Sequence, residues 1–115
     1  MKVKLKDKTE KHTGWLDYNK VYTVLGITVS PSSGQTQYLL WSDSQHSTAL
    51  FLSSDFKVVS SKLSQYWEVT LDLNKNCQFY PSAWSTKNFW DDYNEGDEDA
   101  DKAFHHWKKK IESEA

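Results

Sequence analysis

Arginine is absent from this chain; all fourteen basic residues are lysines. Arginine is the favoured bidentate reader of guanine and a frequent phosphate clamp. Its absence, together with a net charge of −2, weighs against specific nucleic-acid binding. Cysteine occurs once, at Cys77, so no intramolecular disulfide can form. In Asn76-Cys77-Gln78 it has no neighbouring histidine and reads as a small core residue. No apolar run approaches the ~18 residues of a membrane span, and Met1-Lys2-Val3-Lys4-Leu5-Lys6 lacks the apolar stretch of a secretory signal. The expectation is a cytoplasmic protein with no membrane partner. Also missing are the G-x-S-x-G elbow, the phosphate-cradling G-x-x-x-x-G-K-[ST] loop and the zinc-binding H-E-x-x-H pair. Only His12 and His46, were they to meet in space, would offer an acid–base pair. The chain is therefore not expected to be an enzyme or to hold a cofactor.

What is present suits one domain over residues 1–115, with a β body to about residue 80 and a helical tail packed on it. A chain of this size buries roughly 60–70 % of its unfolded surface and needs no staple. Aromatic residues are abundant: six Trp, six Tyr and five Phe. They belong in a core, with some left to line a binding surface. Periodicity places the strands. In Tyr66–Leu73, Trp67, Val69, Leu71 and Leu73 face one way, while Tyr66, Glu68, Thr70 and Asp72 face the other. Val21–Val29 is apolar on both faces and reads as a central strand, with Gly26 marking a bulge or a close backbone crossing. Thr36–Trp41 reads as its hairpin return after the Ser30–Gly34 turn. Thr48–Leu52, Phe56–Val59 and Cys77–Tyr80 are further short strands. Such spacing predicts a mainly β (α+β) fold: a small antiparallel barrel, or a strongly bent sheet or sandwich, with a C-terminal amphipathic helix.

Two charged segments frame the chain. Lys2, Lys4, Lys6 and Lys8 alternate with Met1, Val3, Leu5 and Asp7, as on an edge strand that discourages pairing with other chains. A phosphate-binding stripe is the rival reading. At the other end, Ala100, Ala103, Phe104, Trp107 and Ile111 form one apolar stripe of a helix that should lie on the body. Between the two, seven acids fall within residues 91–101 with no base among them. Asp97, Glu98, Asp99 and Asp101 suit the start of that helix, as Lys108, Lys109 and Lys110 suit its end. Asp91, Asp92 and Glu95 do not. In a helical turn running from Ser82, Asp91 and Asp92 would sit at the unfavourable C-terminal end. Beside them stand Trp84, Phe89, Trp90 and Tyr93, which describe either a surface for a basic protein or a core-packed connector with a wet outer side.

Metal chemistry does not fit. Asp97, Asp99 and Asp101 imitate a calcium loop, but Lys102 and Lys108 replace its glycine and its bidentate glutamate. His105 and His106 are adjacent and diverge by about 100° on a helix, so no metal is expected. Two non-catalytic classes remain. One is an inhibitor that covers a basic enzyme with an acidic, aromatic surface. The other is a small β-barrel module binding a peptide or nucleic acid on its sheet.

The order Val21-Tyr22-Thr23-Val24-Leu25-Gly26-Ile27, Tyr38-Leu39-Leu40, Asp55-Phe56-Lys57-Val58-Val59 and Trp67, then Pro81, Trp84, Phe89-Trp90-Asp91-Asp92-Tyr93 and Ala103-Phe104, resembles small bacterial immunity proteins. These are the immunity partners of contact-dependent growth inhibition and related polymorphic toxin systems. The likeness covers most of residues 14–107. Immunity proteins of this kind differ in fold and in binding surface, so the resemblance implies a role and no residue assignment. That role is to protect its own cell by binding one toxin. Together with the acidic, aromatic surface, it leads to the expectation of a cognate basic toxin, such as a nuclease, neutralised by occlusion of its active-site cleft. The acids Asp91, Asp92, Glu95 and Asp97, with Trp90 and Tyr93 as anchors, are the expected partner-binding residues. A sheet edge and the hairpin around Tyr38 and Trp41 are rival surfaces.

Overall fold

The computed structural model describes residues 1–114; Ala115, the last residue of the expected tail, lies outside the described residues. Eight strands are followed by two helices: β1 (Lys2–Leu5), β2 (Tyr22–Thr23), β3 (Gly26–Val29), β4 (Thr36–Ser42), β5 (Ser47–Leu52), β6 (Phe56–Ser60), β7 (Glu68–Leu71), β8 (Cys77–Tyr80), α1 (Phe89–Asn94) and α2 (Glu98–Glu114). They form a three-stranded sheet, β2-β1-β6, and a five-stranded sheet, β5-β4-β3-β8-β7, whose paired strands all run antiparallel. The fold is a sandwich, one of the expected forms, and the sheets do not close into a barrel.

Alternation along the five-stranded sheet explains the layers. Ile27, Tyr38, Leu40 and Phe51 point to one face and pack with Val3, Leu5 and Phe56 of the smaller sheet. Leu39 and Tyr80 point to the other and pack with Trp84, Phe89, Phe104 and Ile111 from the helical tail. The large sheet is thus the middle of three layers. Trp67 touches both clusters, and its indole N–H donates to the Leu25 carbonyl at 2.9 Å.

Val21–Val29 is not one strand. Val24 N–H donates to Met1 O, and Leu25 N–H donates to Leu39 O, so the chain passes from the small sheet to the large one between these two residues. Both are fully buried, one in each core cluster, which is why the segment is apolar on both faces. Gly26 does mark a close approach: the Tyr80 ring lies directly on it, and the Phe79 backbone carbonyl stands 3.1 Å from where a Cβ would be. β1 is the centre of its sheet, not the expected edge. Only Lys2 and Lys4 of the lysine stripe fall within it, on the face away from Val3 and Leu5.

A long connection spans the residues between β1 and β2, and polar bonds fix it to the β4–β5 turn and the β5–β6 corner. Ser44 Oγ and Gln45 Nε2 each donate to Gly14 O at 2.7 Å. His12 lies against Phe51 and Phe56, and its Nε2 is 3.1 Å from Asp55. Burial pushes the Asp55 carboxyl up, but its hydrogen bonds from Lys11 and His12 outweigh that and hold it below the usual range. His46 is exposed in the β4–β5 turn, and among the described residues no hydrogen bond joins it to His12.

α2 places its stripe as expected, with Ala100, Phe104 and Ile111 buried. Trp107 is only half-buried against Tyr66, so it is not the core tryptophan the periodicity implies. That place belongs to Trp84, fully buried at 0 % exposure and stacked on Phe104 with ring centroids 4.9 Å apart.

Candidate protein-binding surface

The acidic segment is a hydrogen-bonded corner between two helices. After the 3₁₀ turn Ser82–Trp84, Asn88 adopts a left-handed conformation (φ 71°), and α1 starts at Phe89. Asp91 and Asp92 therefore lie in the first turn of α1, where negative charge is favourable. The unfavourable C-terminal placement expected from a helix beginning at Ser82 does not hold, because the left-handed Asn88 restarts the helix after it.

α1 closes with two bonds, Gly96 N–H to Tyr93 O and Asp97 N–H to Asp92 O, the double bond of a Schellman turn. Gly96 supplies the positive φ of 83° that this turn requires, with open space where a Cβ would stand. The very next residue caps α2: Asp97 Oδ2 accepts the Ala100 N–H at 2.9 Å. One residue thus ends one helix and begins the next. Replacing Asp97 with Ala is expected to lower stability by about 1 kcal/mol through the lost cap, measured by urea titration. An unchanged midpoint would mean that the bond contributes nothing in solution.

Asp91, Asp92, Glu95 and Asp97 are all exposed. Along the helix Glu98 pairs with Lys102 at 3.8 Å, and Asp101 lies 3.5 Å from the His105 ring. Among the described residues, Asp91, Asp92, Glu95, Asp97 and Asp99 make no ion pair. No base interrupts the ridge from Asn88 to Asp101.

The two expected anchors are placed differently. Trp90 and Tyr93 turn inward. Tyr93 lies 4.7 Å from Phe104, and Trp90 lies 5.0 Å from Phe89 and 5.9 Å from both Tyr80 and Trp84. Burial, and then the nearby Asp101 charge, push the Tyr93 hydroxyl pKa up. These rings hold the corner to the sheet. Both rings are half-buried, and Trp90 also walls two clefts. One, of about 250 Å³, runs past Leu39, Leu50, Gln78 and Asn94. The other, of about 570 Å³, lies between the β7–β8 turn and the Trp84–Trp90 segment. The rival hairpin is not available as a whole, since Tyr38 is core and Trp41 is packed on Phe104 under the Lys108 ammonium. Among the described residues no cluster of metal-ligating side chains occurs, and no helix is long and apolar enough to cross a membrane.

The acids were legible in the sequence as an uninterrupted run; the clefts beside Trp90 were not, because they arise from residues far apart in the chain. Val69, Leu71 and Leu73 share one face as their alternation implies, and that face is exposed at this end of the sheet. No protein-family model, curated protein or solved structure matches this chain.

Proposed function

We propose that this chain is an immunity protein, acting in the cytoplasm, that binds one basic protein toxin, such as a nuclease, and blocks the toxin's polyanion-binding cleft. The observation that carries this reading is the α1–α2 corner: five unpaired, exposed carboxylates on backbone fixed by a Schellman turn and an aspartate cap. Charges held in place without a partner of their own are suited to a partner of opposite sign. They cost little reorganisation on binding, and they steer encounter at low ionic strength. The chain performs no chemistry; inhibition is steric and electrostatic.

The test begins with a pull-down by the tagged chain from its native cells, washed at low and then high salt. The expected result is one basic protein, released by salt. Recovery of RNA, or of many unrelated peptides, would instead support a general binding module. With the captured protein in hand, the double variant Asp91→Asn, Asp92→Asn should associate about tenfold more slowly at low ionic strength. Its melting temperature should drop by a few degrees, since each charge contributes ~0.3–1 kcal/mol to α1. Unchanged association kinetics would remove the corner from the interface.

A further inference from the structure

Exposed apolar side chains gather in one stretch: Val58, Val59, Leu63, Val69, Leu71 and Leu73 all stand out between β6 and the β7–β8 turn. β7 is an edge of the five-stranded sheet. Its register pairs Thr70 with Gln78 and Leu71 with Cys77, and one step on, the Asp72 N–H donates to Asn76 O at 3.1 Å. Bonded and non-bonded pairs alternate along an antiparallel ladder. Glu68, Thr70 and Asp72 therefore turn their backbone groups to β8, while Val69 and Leu71 turn theirs outward. No other strand pairs with that side among the described residues. Proline and lysine, with which edge strands commonly discourage pairing, are absent from β7.

The two faces of this edge differ in chemistry. One presents Val69 and Leu71, 63 % and 68 % exposed. The other carries Glu68, Thr70 and Asp72, whose carboxylate also accepts the Asn74 and Asn76 N–H groups; Asp72, with Leu71 and Leu73, lines the larger cleft beside Trp90. Lys87 is the one base lining that cleft, and the acids of α1 follow directly after it in the chain.

We infer that the β7 edge accepts an extended segment of the protein partner as an added strand, in which apolar residues lie over Val69 and Leu71 and alternate with basic residues beside Glu68 and Asp72. Outward backbone groups supply the affinity of such strand addition, and the alternate side chains supply the choice of sequence. A second copy of this chain offers no base to Glu68 or Asp72: with Val69 opposite Leu71 of the other copy, Glu68 faces Asp72, a destabilising like-charge pair, and with Leu71 opposite Leu71, Asp72 faces Thr70. The inference rests on the immunity reading only for the donor of the strand, the basic partner; the strand's chemistry is set by β7.

The test needs no toxin. A short peptide alternating valine and lysine is titrated into the full chain, with an otherwise identical glutamate peptide as control. Backbone amide exchange is followed residue by residue. The expected result is slowed exchange at Val69 and Leu71 with the lysine peptide and not with the glutamate one. Val69→Pro deletes an N–H that the β7–β8 ladder does not use, and should weaken peptide binding about tenfold. Leu71→Lys, which keeps the backbone intact, should weaken it as well, covering the case in which the proline variant does not fold. Absence of slowing at both amides, equal response to the two peptides, or dimerisation of the chain through β7 would each overturn the inference. Slowed exchange by the lysine peptide, alongside failure to capture any toxin, would uphold the edge and overturn the immunity reading alone.

Discussion

Trp84→Ala is expected to lower the unfolding free energy by ~3–5 kcal/mol, the range for removing a large aromatic side chain from a closed core. Trp84 has no exposed surface. Its ring stacks on Phe104 and sits about 6 Å from both Tyr80 and Trp90, so it joins α2, the large sheet and α1. Its indole N–H is 3.5 Å from the Ala103 carbonyl, a long bond that adds little. Because three elements converge on one ring, a shift of any one of them cannot refill the space. Trp107→Ala is the informative comparison. Trp107 is half-buried against Tyr66, and its loss should cost no more than about 2 kcal/mol. Both values come from urea titration followed by circular dichroism, which does not depend on the tryptophan removed. A loss below about 1 kcal/mol at Trp84, or a larger loss at Trp107, would show that Trp84 is not the ring that holds the tail.

The contrast between these two tryptophans shows where the sequence is informative. Periodicity identifies the face of a helix that is apolar, and α2 does bury Ala100, Phe104 and Ile111. It does not say how far the neighbouring layer extends, and Trp107 lies near the margin of that layer. The same limit holds at β7, where alternation sorts Val69 and Leu71 onto one face without saying whether anything covers it, and both are exposed. Local chemistry was more legible than neighbours. Cys77–Tyr80 is β8 to the residue, and Asp97 caps α2 as an aspartate before an apolar stripe should. By contrast, β1 looked like an edge because alternation reports one wet face, and a strand flanked on both sides by other strands can have one too. For the candidate site, the run of acids was plain in the chain. The inward turn of Tyr93 was not, since it depends on Phe104, which reaches the corner only after the two helices fold back on each other.

Gly26→Ala should be nearly as damaging as a core deletion, although it adds a single methyl group. A Cβ at Gly26 would stand 2.0 Å from Cδ1 and 2.1 Å from Cε1 of Tyr80, far inside contact distance. Relief requires the ring to move, and the ring is not free. Tyr80 is buried, its hydroxyl is bonded to Thr28 Oγ1 at 2.9 Å, and Trp84 and Trp90 pack against it. Burial also raises the Tyr80 hydroxyl pKa, with the Thr28 bond opposing, so ionising it offers no escape near neutral pH. The remaining response is to part β3 from the aromatic cluster, which strains the passage between sheets at Val24–Leu25. The expected cost is about 3 kcal/mol, at the upper end for overpacking a core. The double variant Gly26→Ala, Tyr80→Leu separates causes, because it removes the ring that clashes. If the clash dominates, the alanine should cost much less in the Tyr80→Leu background than beside the native tyrosine, a coupling measurable by a denaturant double-mutant cycle. Equal costs in both backgrounds would place the demand for glycine in the backbone of β3 and not in the ring that lies on it.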